Sequence, residues 1–264
     1  MEYLKGLQNM FFEDELFLAY KIGNGLVMNM PFPHMYIENI FPLHIYEAIQ
    51  NNLPESNKLE VISKKRPVIG YKERFVFCFD DESLLNLDNE KRIFWEEFKN
   101  RILSKTFMNF LLSRFMPYIS SRFQNQNIQQ LKFNSELLLI QDTMNYNIGP
   151  HTDSPRKVIS FLFYLPKDNS QKELGTSIYM PKDFNFKCNG GPHHPRENFE
   201  KITTMPFLPN SLFCFPKTDV SFHGVEKIET DEKRWLLLYD IYIDQAVELA
   251  VNNQVISPGK FSWQ

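Results

Sequence analysis

The chain has 264 residues, a formal net charge of −3, 43% hydrophobic residues and 15% aromatic residues. That length gives room for one large domain with a full core, and the hydrophobic share excludes a disordered chain. The slightly acidic balance argues against nucleic acid or an anionic membrane as partner, because both want a basic surface.

The stretch MEYLKGLQNMFFEDELFLAYK (1–21) carries acids within its apolar run and lacks a signal-peptide pattern, and residues 11–20 have the make-up of a short helix. PFPHMYIENIFP (31–42) reads as an extended lead-in, and HIYEAIQNNLP (44–54) as a short helix stopped by Pro54. YKERFVFCF (71–79) alternates as a strand does. Over 90–124, Phe94, Phe98, Ile102, Phe110 and Phe115 recur at helical spacing with Glu96, Glu97, Lys99 and Arg101 between them. Asp88 is placed to cap the start. The stretch exceeds an ordinary helix, which predicts two helices meeting near 104–107 and covering one face of a sheet.

From residue 133 short apolar runs bounded by turn residues follow one another: 135–146, 157–166, 176–181, 211–216, 220–228 and 234–243. Strands without intervening helices predict an antiparallel sandwich or jelly roll. Residues 182–206 hold Gly190, Gly191, Pro192 and Pro195 without clear periodicity, and read as a long loop of the lid or binding type. No repeat or linker divides the chain. One domain is therefore expected over 1–264, with helical support over 1–132, a strand-rich core over 133–243 and a C-terminal extension over 244–264. No apolar run reaches the ~20 residues a membrane span needs. Cys78, Cys188 and Cys214 form no CxxC pair, which fits a reduced, cytoplasmic protein.

One short motif carries chemistry. His151-x-Asp153 lies just before the strand-like KVISFLFYLP. On extended chain, residues i and i+2 point the same way, so an imidazole and a carboxylate can converge on one ion. His223, within SFHGVE, offers a second imidazole. Two histidines and one carboxylate leave coordination positions open, as in a non-haem iron(II) site. A lone H-x-D also suits an Asx-stabilised turn; His223 and Arg234 tip the balance. A guanidinium matches a carboxylate bidentately and stays charged when buried. The plainer reading of Arg234, beside Glu232 and Lys233, is a surface residue flanking a strand.

The stretches YNIGPHTD (146–153), FYLP (163–166), ELGTSIY (173–179), PNSLFCFPKTDVSFHGVE (209–226) and RWLLLYDI (234–241) resemble the 2-oxoglutarate/Fe(II)-dependent dioxygenase superfamily, nearest its prolyl-4-hydroxylase-like branch. PFPHMYIENIFPLHIYEAI (31–49) is similar to the lead-in of bacterial members. The resemblance implies an α+β chain whose core is a double-stranded β-helix (jelly-roll, cupin-like) supported by N-terminal helices. It implies that His151, Asp153 and His223 bind Fe(II) and serve catalysis. Arg234 would pair with the distal carboxylate of 2-oxoglutarate, Tyr164 would donate to the same carboxylate, and Tyr146 would line the co-substrate pocket. The implied reaction uses O2 and 2-oxoglutarate, with ascorbate as a compatible helper. It hydroxylates a C–H bond of a small molecule or of a peptidyl or amino-acid side chain, releasing succinate and CO2. In related halogenases a small residue replaces the metal carboxylate; the presence of Asp153 points to hydroxylation, or a related oxidation, rather than halogenation.

Weaker candidates remain. Arg156, three residues past the H-x-D turn, and His193 and His194, in the 182–206 loop, are candidate substrate contacts; their plainer readings are a solvated charge and ordinary loop residues. Cys188 with His193 and His194 has zinc-type donors but no second cysteine, which disfavours a structural zinc. Lys217 and Asp219 are candidate outer partners of the metal site. His34 and His44 read as partly buried structural histidines. Gln141 and Asn145 read either as polar groups pointing into the barrel or as hydrogen-bonded structural residues. Two other classes are carried: a cupin-like metal-binding isomerase or sugar-binding module without oxoglutarate dependence, and a non-catalytic scaffold.

Overall fold

No proline falls between residues 2 and 24, and one helix, α1 (Glu2–Asn24), runs through them, longer than the stretch 11–20 expected to be helical. The computed structural model describes residues 2–66, 70–123, 127–191 and 193–244. The expected C-terminal extension lies outside these residues apart from Asp244, as does Pro192 of the expected loop. After α1 come β1 (Met35–Glu38), α2 (Leu43–Asn51), β2 (Glu60–Val61), α3 (Ile62–Lys65), β3 (Arg74–Cys78) and α4 (Asp81–Leu85). The paired helices expected over 90–124 are α5 (Asn89–Arg101) and α6 (Lys105–Arg122). Asp88 and Ser104 cap them, their side chains accepting from the N–H groups of Lys91 and Phe107.

The second half supplies β4 (Phe133–Asp142), β5 (Ile148–His151), β6 (Lys157–Tyr164), β7 (Ser177–Pro181), β8 (Phe199–Thr204), β9 (Ser211–Pro216), β10 (His223–Val225) and β11 (Arg234–Ile243). They form a seven-stranded sheet, β1-β9-β6-β11-β4-β3-β2, and a four-stranded sheet, β5-β10-β7-β8. This is the jelly-roll core backed by helices that the sequence predicted.

Strand alternation sorts the side chains into two layers. Leu237, Tyr239 and Ile241 of β11 join Phe98, Leu111 and Phe115 of the helices. Leu236 and Leu238 join Ile140, Phe213, Phe215 and Ile178 between the sheets. Each such buried side chain contributes roughly 1.5–3 kcal/mol.

Two expectations need correction. The 182–206 stretch is not all loop, because it contains β8, paired with β7. Only Phe199 of β8 is buried, so this sheet-edge strand has no apolar alternation to read. The run 220–228 yields only three strand residues. A turn in which the Ser221 hydroxyl donates to the Thr218 carbonyl takes up the residues before them. Among the described residues, no helix is long and apolar enough to cross a membrane.

Candidate active site

His151 closes β5, His223 opens β10, and the two are direct register partners with ring centroids 4.3 Å apart. Asp153 follows two residues after His151. One ligand atom from each of the three lies within 4.8 Å of the others, the one grouping of this kind among the described residues. All three are buried. Each imidazole Nδ1–H donates to a backbone carbonyl two residues upstream: His151 to Gly149 and His223 to Ser221, both at 3.0 Å. That fixes the tautomer and leaves the Nε2 lone pair for an ion. Gly224 permits the tight pairing of β10 with β5, since a Cβ there would sit 2.5 Å from the Ile148 carbonyl oxygen.

Burial pushes the His151 imidazole down to about 3 and lowers that of His223 as well. Both are therefore neutral near pH 7, as metal ligation requires. Burial pushes the Asp153 carboxyl up, but the Lys157 ammonium beside it, helped by the Ser160 hydrogen bond, more than offsets this, and its pKa lies below the usual carboxylate range. Lys157 Nζ lies 3.1 Å from Asp153 Oδ1 and 2.9 Å from Asp240 Oδ2. Ser160 Oγ donates to Asp153 Oδ2 at 2.8 Å. Neither Lys157 nor Ser160 was singled out from the sequence. The available signal was their place on β6, just past the turn that follows Asp153.

A cavity joins this triad to a second polar group. Arg74, Arg234, Tyr146 and Thr176 border it there, with Leu236 and Phe215 among the apolar side chains of its wall. Arg234 is fully buried, which disposes of the surface reading. Its Nη1 donates to Asp142 Oδ2 at 2.8 Å and its Nε to the Leu174 carbonyl at 2.5 Å. Asp142 also accepts from Arg74 Nε at 2.6 Å and Arg74 Nη2 at 2.8 Å. Arg74, Asp142 and Arg234 are direct partners across β3, β4 and β11.

The Arg74 guanidinium lies 4.2 Å from the centre of the Tyr146 ring, a cation–π contact. The Tyr146 hydroxyl is buried and has no hydrogen-bond partner. Burial pushes its pKa far up, so it stays a donor. An orphaned donor beside guanidinium groups calls for an anionic acceptor. The donor sets thus fit a divalent metal at one place and a carboxylate at the other.

Tyr164 is placed differently from the expectation that it donates to a ligand carboxylate. Its hydroxyl donates to Thr176 Oγ1 at 2.8 Å and accepts from the Thr176 N–H at 3.1 Å. A phenol has one proton to give, and Thr176 takes it. Thr176, rather than Tyr164, borders the cavity.

Arg156, His193 and His194 lie outside the cavity lining. Arg156 is exposed, its guanidinium 5.9 Å from the centre of the Tyr242 ring. His193 accepts from the Gly149 N–H at 3.2 Å, hydrogen-bonds the Tyr71 hydroxyl and stacks on the Tyr71 ring. Its ring lies 6.4 Å from that of His151. His194 packs its ring against Phe186, Phe199 and Phe222.

Gln141 faces away from the cavity and donates to Ser56 Oγ, because alternation turns Asp142 inward instead. Asn145 takes a left-handed backbone conformation, φ 72°, in the turn after β4. Lys217 Nζ binds Asn189 and Asp219, so the outer partners of the two imidazoles are backbone carbonyls. Cys188 directs its thiol to the Gly190 carbonyl. His34 is buried against the Phe32 carbonyl, and His44 is half exposed beside Asp14.

No family model matches the sequence, and no curated protein matches it. Solved structures do. A prolyl 4-hydroxylase from Phytophthora capsici is 14% identical over 89% of this chain and 67% of that one, with a TM-score of 0.50. The chain has the fold of that prolyl 4-hydroxylase. A prolyl 4-hydroxylase from Pseudomonas putida is 11% identical over 85% of this chain and 98% of that one, at TM-score 0.47. HygX from Streptomyces hygroscopicus, solved with nickel, 2-oxoglutarate and hygromycin B bound, is 12% identical over 79% of this chain and 82% of that one, at TM-score 0.44.

Proposed function

We propose that the chain is a 2-oxoglutarate- and Fe(II)-dependent dioxygenase that hydroxylates a C–H bond of a small molecule or of a peptidyl or amino-acid side chain. One observation carries this reading. A single cavity is bordered by two imidazoles with a carboxylate, and also by two guanidinium groups with an unpartnered phenol.

His151, Asp153 and His223 would hold iron(II). Arg234, with Tyr146 and Thr176 beside it, would take the remote carboxylate of 2-oxoglutarate. Iron(II) bound there supplies the chemistry that activates O2 and couples loss of CO2 from the co-substrate to oxidation of a C–H bond. The chain's residues orient and shield. Lys157 and Ser160 hold the Asp153 carboxylate, the Gly149 and Ser221 carbonyls hold the imidazoles, and apolar side chains such as Leu236 and Phe215 keep water from the space beside the metal. The three cysteines are free, which suits a cytoplasmic setting.

The test is metal and co-substrate binding in one protein. Wild type should bind Mn(II), and then 2-oxoglutarate, by anaerobic titration. Asp153→Ala and His223→Ala should lose Mn(II) binding while keeping their circular dichroism, and should lose succinate production. Wild-type Mn(II) affinity in either variant would overturn the triad. Mn(II) binding without any 2-oxoglutarate binding would favour a cupin-like metal protein instead.

A further inference from the structure

We infer that Arg74 supplies the net positive charge with which this cavity takes the remote carboxylate of its dicarboxylate co-substrate, because Asp142 cancels the charge of Arg234. The inference rests on the co-substrate reading above and adds to it a residue that decides which ligands bind. Arg74 comes from β3, in the N-terminal half of the chain.

Asp142 is fully buried and accepts from Arg234 at 2.8 Å. Taken alone, that pair is neutral, and a buried neutral pair attracts an anion weakly. Arg74 adds a second guanidinium on the same carboxylate, bound through both oxygens. The three groups together carry one positive charge. Both guanidinium groups border the cavity, whereas Asp142 does not. The carboxylate thus holds two like charges side by side, and the surplus faces the ligand. The other charged groups bordering the cavity, Asp153 and Lys157, pair with each other beside the histidines. Arg74 also lies 4.2 Å from the centre of the Tyr146 ring, and so helps aim the one unpartnered hydroxyl of the cavity.

The experiment is anaerobic calorimetry on the full chain loaded with Mn(II), titrated with 2-oxoglutarate and, in parallel, with pyruvate. Pyruvate has the same metal-facing oxoacid but no remote carboxylate. Arg74→Met should weaken 2-oxoglutarate binding about tenfold or more and leave pyruvate binding unchanged. Arg74→Met/Asp142→Asn deletes one charge of each sign, restores the surplus on Arg234, and should regain most of the lost affinity. Arg74→Lys, which keeps the charge and should perturb packing least, should stay closer to wild type than Arg74→Met.

Wild-type affinity in Arg74→Met would overturn the inference. So would equal weakening for both ligands, or a double variant no better than the single one, since a packing role predicts no rescue. If Arg74→Met fails to fold, a tenfold loss in a folded Arg74→Lys overturns it as well. Mn(II)-loaded wild type that does not bind 2-oxoglutarate would sink the co-substrate reading itself, and this inference with it.

Discussion

The metal end and the anion end of the cavity are held in opposite ways. At the metal end each side chain is oriented by groups close in sequence. His151 and His223 each bond a carbonyl two residues upstream, and Asp153 is held by Lys157 and Ser160, four and seven residues on. At the anion end Asp142 bonds Arg74 across 68 residues and Arg234 across 92. Those three groups meet only because β3, β4 and β11 pair in one register. Locally held groups can be removed one at a time. A carboxylate shared by two cations from other strands cannot be removed without unbalancing both.

The largest effect is expected from Asp142→Ala. It leaves the fully buried Arg234 and the part-buried Arg74 without their shared anion, which should cost about 3–5 kcal/mol of stability in urea unfolding of the metal-free protein. Asp153→Ala in the same assay should cost about 1 kcal/mol, because Lys157 keeps Asp240 and the Ser160 hydroxyl loses one bond. Equal losses in the two variants would show that both ends are held alike.

Ser160→Ala probes the metal end. Asp153 Oδ2 loses its donor while the fold keeps its core. Mn(II) affinity should fall roughly 10–100-fold, the usual cost of removing an outer partner of a ligand, with little change in the urea midpoint. A titration with unchanged affinity would show that Lys157 alone fixes the carboxylate.

Acid should act through the histidines first. Burial, as the leading cause, lowers His34, His151, His193, His194 and His223 from the ordinary value of 6.5, His151 to about 3. A histidine kept neutral in the fold binds its proton more readily when unfolded. Above pH 6.5 neither state is protonated there and stability is full. As pH falls from 6.5 towards about 3 the unfolded state gains protons that the fold refuses, and stability declines. Asp153, with its depressed pKa, adds a loss that begins near its unfolded value of 3.8. The melting temperature of the metal-free protein should thus drop between pH 7 and pH 5. A flat profile there would mean that these histidines open to water.

The same contrast explains what the sequence could and could not reveal. His151-x-Asp153 is a local pattern, and its chemistry is visible without any partner strand. Arg234 was visible as a cation opening an apolar strand. Arg74 and Asp142 were not, although both runs, YKERFVFCF and SELLLIQDTMNY, read as strands. Their meaning depends on which residue faces which, and a register cannot be read from one strand alone. Parity misled in the same place, as Gln141 was considered for the barrel interior and its neighbour Asp142 faces it. β8 was missed for a different reason, since a sheet-edge strand with one buried side chain has no periodicity to detect.

The smallest expected effect tests whether the anion end is preformed. The Tyr164 hydroxyl is engaged twice by Thr176, as donor to its hydroxyl and as acceptor from its N–H. Tyr164→Phe should therefore cost about 1 kcal/mol of stability, the net worth of an ordinary hydrogen bond. Because Thr176 lies between that hydroxyl and the cavity, 2-oxoglutarate affinity should fall only a few-fold, far less than in Arg234→Ala, which removes a charge-assisted partner. Suppose instead that Tyr164→Phe weakens 2-oxoglutarate as much as Arg234→Ala while leaving the melting temperature unchanged. The phenol would then have to leave Thr176 and turn to the ligand on binding, and the cross-strand end of the cavity would be assembled by the co-substrate rather than waiting for it.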